Sequence, residues 1–347
     1  MVVILRQLWR SARGSLGAIA VTLGLGFLIV FAVSDDPVES YRQLLFASFA
    51  SPSNFALYLN RATPLILIAI GIGFAFRAGV FNVGGEGQLY MGAIACTGLG
   101  IALSATPGPI VTAVCMIGAM LAGAAWAWWP AVLKTRLAVD EVVTTLMGNF
   151  VALLISNYMV TRPLRDATAY GATSLMLPRD SWLPSIPSLP NATIGFPVAL
   201  VVSAGAWAVL FRTEWGANLR AAGTNPRFAE AIGIVPRREV VRAMLVSGGL
   251  AGSAGAFYVL GVGHRFEQNF SPGFGLMALT VALLARLNPF GIVATGLFYA
   301  LMLNGAAYMQ IETDVPRSLV NLLTGLLVLL MTVDIRRRRR RAEVALP

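Results

Sequence analysis

Apolar residues fall along this chain in long uninterrupted blocks rather than in alternating or one-face patterns. Ten blocks run roughly over 15–34, 62–77, 85–104, 108–133, 142–161, 195–212, 240–262, 273–287, 290–310 and 317–333. A helix needs about 20 apolar residues to cross a bilayer, and in lipid only a backbone bonded within its own helix or a closed barrel is tolerated. The pattern predicts an all-α integral membrane protein with about ten transmembrane helices. Blocks 62–77 and 273–287 are short, and each adjoins a glycine-rich polar stretch.

The connecting segments complete a single transmembrane domain over 1–347. Arg6, Arg10 and Arg13 precede the first block as they would a signal peptide. A signal core runs about 7–15 residues, and this block is longer, so it reads as a retained span. Segment 35–61 mixes acidic and apolar residues and suits an amphipathic helix on the membrane surface. The proline-rich stretch 162–194 reads as an ordered, sheet-poor loop. Segment 213–239 is the longest loop on the other side, and 334–347 is a basic tail carrying Arg336 to Arg341.

Charge sets the orientation. Alternating from an inside N-terminus, 19 of the 26 Lys and Arg residues fall inside and 7 outside. Positive residues concentrate in cytoplasmic loops, so both termini are expected in the cytoplasm. The chain is 57% hydrophobic and 12% charged, about half the charge of a soluble domain. The net charge of +10 sits between apolar blocks and at the tail, where it suits anionic headgroups rather than nucleic acid. Cys96 and Cys115 lie in apolar blocks and give no disulfide framework. One histidine, His264, leaves no metal set and no serine triad. The sole lysine, Lys134, is not part of a phosphate-binding loop G-x-x-x-x-G-K-[ST], so any ATP that drives this protein sits on another subunit.

Three motifs carry candidate chemistry. The first, Arg77-Ala-Gly-Val-Phe-Asn-Val-Gly-Gly-Glu-Gly-Gln88, places Asn82, Glu86 and Gln88 among glycines at or near membrane depth. A carboxylate there is costly unless it serves a path or partner, and irregular backbone is tolerated only inside protein or along a cavity. It reads as a broken helix beside a translocation path, or as a solvated turn. The second, Gly223-Thr-Asn-Pro-Arg-Phe-Ala-Glu-Ala-Ile-Gly233, has an N-cap in Asn225, a first-turn proline in Pro226, Ala229 within, and a stop in Gly233. That predicts a helix of about seven residues, too short to stand alone and suited to docking in a partner's groove. The third, Phe266-Glu-Gln-Asn-Phe-Ser-Pro-Gly-Phe-Gly275, is the counterpart of the first in the opposite half, with Phe270 as a path candidate. Asn149, Asn157 and Asn304 sit inside blocks and suit hydrogen bonds between helices or, for Asn149, substrate contact.

These motifs, with Asp140-Glu-Val-Val-Thr-Thr-Leu-Met-Gly-Asn149 and Ala278-Leu-Thr-Val-Ala-Leu-Leu-Ala-Arg-Leu-Asn-Pro289, resemble the permease subunits of bacterial ABC importers in the branched-chain amino acid, ribose and nucleoside group. The likeness spans roughly 60 to 330 and is greatest to the nucleoside or simple-sugar branch, although Gly85 and Ala285 depart from its pattern. The resemblance implies a type II importer permease in the bacterial inner membrane. It implies a second permease subunit, a different homologous chain, across a central path. It also implies cytoplasmic ATPase subunits that hold ATP and magnesium and dock around Gly223 to Gly233, and an extracytoplasmic substrate-binding protein. Asn82, Glu86 and Gln88 would line or brace the path. A secondary ion-coupled transporter and a branched-chain amino acid permease remain as alternatives.

Overall fold

The computed structural model describes residues 34–313, with Gly24, Phe27, Leu28, Val30, Phe31, Val315 and Gly325 besides. The first and last expected spans and the basic tail lie outside these residues. Eleven α-helices are described: α1 (Pro37–Phe46), α2 (Pro52–Arg77), α3 (Gly85–Ala102), α4 (Gly108–Leu137), α5 (Glu141–Thr161), α6 (Gly195–Arg212), α7 (Glu214–Thr224), α8 (Pro226–Ala231), α9 (Pro236–Tyr258), α10 (Phe274–Leu284) and α11 (Pro289–Glu312). Six of them, α2, α4, α5, α6, α11 and α9 with its extension to Gly263, are long and apolar enough to cross a membrane.

One expectation needs correction. The block 62–77 is not a half-helix, because α2 begins at Pro52 and runs 26 residues. Ser51 Oγ accepts the Asn54 N–H at 3.1 Å, and proline is favoured in a first helical turn. The helix therefore starts inside the segment read as surface-lying, where its polar residues hid it. Only α1 is left as the amphipathic piece. Asp36 caps it, accepting from Glu39 N. The 162–194 loop also holds an antiparallel ribbon, β1 (Ser185–Ile186) and β2 (Leu189–Thr193), which the sequence pattern did not show.

The described residues divide into two compact units. In the unit of 1–58 and 298–347, Asn304 Nδ2 donates to Ser48 Oγ at 3.0 Å and Tyr308 donates to Asn54 Oδ1 at 2.8 Å. Leu44, Ala306 and Met309 form its apolar centre. In the unit of 59–297, α3, α4 and α9 meet through small residues. Gly252 packs on the Ala119 carbonyl and the Gly92 backbone, Gly248 on Gly123, and Gly255 on Leu89 and Ala93. Such stripes let backbones approach without side chains between them, which is the main source of helix affinity in lipid. Gly252→Val puts a branched side chain into this contact. It is expected to cost about 1–3 kcal/mol, read as a lowered thermal midpoint in detergent; an unchanged midpoint would show the contact to be loose.

Candidate functional site

The segment between α2 and α3 is neither a solvated turn nor a simple break. Gly85, the first residue of α3, faces Ile68, nine residues before the end of α2. Nine helical residues span about 13 Å. Residues 78–84 therefore climb back alongside α2, turning at Gly79 with φ +80°, and α3 starts deep in the protein. Ala78, Val80, Asn82 and Val83 are buried on the way.

A buried non-helical backbone must find partners for its N–H and C=O groups, and α5 supplies them. Glu141 accepts from Phe81 N at 3.3 Å. Thr145 Oγ1 accepts from Val83 N at 3.3 Å. Asn149 donates to the Val83 carbonyl at 3.0 Å and accepts from Gly87 N at 2.8 Å. The three lie at i, i+4 and i+8. Four helical residues advance about 6 Å, so successive turns of one face of α5 meet Phe81, Val83 and Gly87 in chain order. Lys134 on α4 pairs with Glu141 at 2.6 Å and fixes the inner end of this ladder. Asp140 caps α5, accepting from Val142 N and Val143 N.

Asn82 and Gln88 close the segment from within. Asn82 Nδ2 donates to Gln88 Oε1 at 3.1 Å and to Ser247 Oγ on α9 at 2.8 Å. Its Oδ1 accepts from Gly84 N at 2.9 Å and Gln88 Nε2 at 3.2 Å. Both side chains are fully enclosed. Asn82, Gln88 and Asn149 thus act on the backbone and on one another, and brace the segment.

Glu86 does something different. In the first turn of α3, its Oε2 accepts from Gly275 N at 2.6 Å, in the first turn of α10. Gly275 is pressed on the Glu86 backbone so closely that it has no room for a Cβ. The positive ends of two helices therefore converge on one carboxylate, the arrangement their dipoles favour. The third motif reaches this point by descending through Gly273, φ +99°, with Ser271 Oγ accepting from Gly273 N and Phe274 N at 3.2 and 3.0 Å. Above the junction lie Tyr90, Tyr258, Phe266 and Phe270. The Phe270 ring stands 4.8 Å from Tyr90 and 4.4 Å from Tyr258, stacked on the latter, and the Tyr90 hydroxyl accepts from Ser271 N at 3.3 Å. Tyr258 closes α9 where it passes into a π-helical turn, Val259–Gly263, a device common at functional sites. Just beyond it, outside the spans, burial holds the His264 imidazole below its ordinary pKa.

The sequence motifs marked Asn82, Glu86, Gln88, Asn149 and Phe270, and the fold brings all five to one region. They missed Ser247 altogether, and gave no role to Glu141, Thr145 and Gly275 although the motifs include them. The polar positions at 141, 145 and 149, four apart on a mostly apolar helix, were the available signal. Asn157 is not part of the cluster, and its Oδ1 is buried without a partner among the described residues.

The second motif forms its own site. Asn225 Oδ1 accepts from Phe228 N at 3.1 Å, Pro226 opens α8, and Ala229 is buried beneath it. Gly233, at φ +85°, follows the helix. Phe228, Ile232 and Val235 are exposed around this six-residue helix. Gly223 packs directly on the Arg77 carbonyl and on Gly79 N. The backbone leading into α8 therefore touches the turn where the buried extended segment begins.

Six apolar helices and a buried discontinuity where two helix ends share a carboxylate define a multi-pass membrane protein with the features of a transporter. The chain belongs to the family of permease components of branched-chain amino acid transport systems, which matches residues 54–332. It is 32% identical to the guanosine ABC transporter permease protein NupP of Bacillus subtilis over 90% of each chain. It is 28% identical to a glucose ABC transporter permease protein of Haloferax volcanii, covering 94% of this chain and 88% of the relative. It is also 28% identical to the nucleoside ABC transporter permease protein NupB of Lactococcus lactis, covering 91% and 89%. The chain is a permease subunit of the ABC transporter type.

Proposed function

We propose that this permease imports a nucleoside or simple sugar along a path bordered by Glu86, Phe270, Tyr90 and Tyr258, with Asn82, Gln88 and Asn149 holding the wall in shape. The observation that carries this reading is the Glu86–Gly275 junction, where two interrupted segments from opposite halves of the chain meet at depth. Discontinuous helices meeting inside a membrane protein commonly mark its substrate site. Aromatic faces above a carboxylate suit flat bases and polyhydroxylated rings, the solutes named for the relatives. In this reading both termini are cytoplasmic, the membrane is a bacterial inner membrane, and a second permease chain pairs across the path. ATPase subunits carrying ATP and magnesium dock on residues 223–233, and an extracytoplasmic protein delivers the solute. The exposed apolar residues around α8 support that docking surface.

The family description itself favours a second reading, a branched-chain amino acid as the solute. Competition decides between them. Uptake of labelled guanosine or glucose by the assembled transporter is expected to resist excess leucine and to yield to excess adenosine or ribose. Inhibition by leucine alone would overturn the proposal. For the docking surface, Asn225→Ala removes the cap of α8 at a cost of about 1 kcal/mol. Co-purification with the ATPase subunit is expected to fall while membrane abundance holds; unchanged co-purification would count against docking there.

A further inference from the structure

The ends of α2 and α6, with the adjoining α7, gather cations that no acidic group among the described residues pairs with. Arg77, the last residue of α2, donates from Nη2 to the Leu287 carbonyl at 3.0 Å. Its guanidinium lies 4.8 Å from the Phe211 ring centroid. Arg220 of α7 lies over the same ring at 5.3 Å. Arg212 covers Trp207 at 5.2 Å, and Trp207 packs at 5.8 Å on Phe290 in the first turn of α11. Arg77 Nε and Arg220 Nη1 are buried with no hydrogen-bond partner among the described residues. No ion pair among those residues includes Arg77, Arg212 or Arg220. Two guanidiniums crowded on one aromatic ring repel each other and leave donors unmet, which costs free energy in proportion to their burial. An anion with several oxygens relieves both, since the guanidinium fork matches phosphate geometry.

We propose that this cluster binds the phosphate of an anionic glycerophospholipid. Its surroundings favour a lipid over a partner's carboxylate. Phe211 and Phe290 are 38% and 53% exposed at the ends of membrane-spanning helices, and Trp207 under Arg212 is the kind of aromatic residue that marks the headgroup zone. The surface available to a protein partner lies elsewhere on the same loop, at Phe228, Ile232 and Val235. The assignment to the inner leaflet rests on the orientation proposed above; the binding itself does not.

The test uses the full-length protein in nanodiscs of phosphatidylcholine with increasing phosphatidylglycerol, read by the thermal midpoint. Phosphatidylglycerol is expected to raise the midpoint with dose. Arg220→Gln weakens the apparent affinity by about five-fold, and Arg77→Gln with Arg220→Gln by roughly that factor again. Arg220→Gln alone carries the test if the double variant does not fold. Arg238→Gln removes an exposed charge of α9 that makes no ion pair among the described residues, and is expected to leave the response unchanged. Equal effects of Arg220→Gln and Arg238→Gln would overturn the site as diffuse attraction. So would inorganic phosphate reproducing the shift in pure phosphatidylcholine. Loss of ATPase binding by Arg220→Gln with an intact lipid response would assign the cluster to a partner's carboxylate instead.

Discussion

Glu86→Gln is expected to cut uptake roughly ten- to hundred-fold while the protein stays in the membrane at normal abundance. The carboxylate stands where α3 and α10 begin, and it holds the Gly275 N–H at 2.6 Å. Glutamine fills the same volume and can still accept from that N–H. It loses the charge that two helix dipoles converge upon, and it adds an NH₂ donor pointed at their positive ends. A buried hydrogen bond to a charged group contributes about 1.5–3 kcal/mol, or roughly a ten- to hundred-fold loss of uptake if it shapes the transporting state. The measurement is initial-rate uptake of labelled solute normalised to membrane abundance by immunoblot. Full uptake at full abundance would remove Glu86 from the path.

The second large effect is expected at Gly223. Any Cβ there strikes the Arg77 carbonyl and comes within 2.8 Å of Gly79 N. Gly223→Val must therefore part α7 from the turn that begins the extended segment, at a cost of about 1–3 kcal/mol. The proposed ATPase docking surface on α8 is left whole. ATP hydrolysis is thus expected to continue while solute moved per ATP falls at least several-fold. Gly233→Ala is the control. Gly233 also needs a left-handed backbone, at φ +85°, but nothing lies within 4 Å of an added Cβ. Its cost of about 1–2 kcal/mol is local, and coupling is expected to survive. Equal loss in both variants would show general damage to the loop rather than a broken linkage between α8 and the path.

Much of this was legible from residue order because lipid imposes severe rules. Blocks of apolar residues could only be helices, and Asn225, Pro226 and Gly233 mark the two ends of α8 by cap chemistry that needs no tertiary context. The start of α2 was not legible. Ser51, Asn54 and Asn60 are polar, and a hydropathy pattern discards polar residues even when, like Asn60, they bond inside the protein to the β2 backbone at 2.8 Å. At the candidate site, glycines and a lone glutamate pointed to residues 77–88 and 266–275 separately. That they touch could not be read, because contact between Glu86 and Gly275 depends on how 78–84 and 266–273 both fold back into the protein. The ladder from α5 was half visible. Asn149 stood out as an amide in an apolar block, but Glu141 and Thr145 stood in the 140–149 motif with no role that residue order could give them. Their roles follow from the backbone groups of 81–87 that they bond, which come into reach only once the two segments lie side by side.

The most direct test of the central claim concerns the energy source. The full-length chain, purified with the proposed ATPase and second-permease partners and reconstituted in proteoliposomes, is expected to accumulate solute only with ATP and magnesium and with the proposed binding protein present. The same chain reconstituted alone is expected to show no uphill uptake under a proton or sodium gradient. Gradient-driven accumulation by the chain alone would contradict the account, because the buried junction would then be a site for a coupled ion rather than part of a path worked through α8.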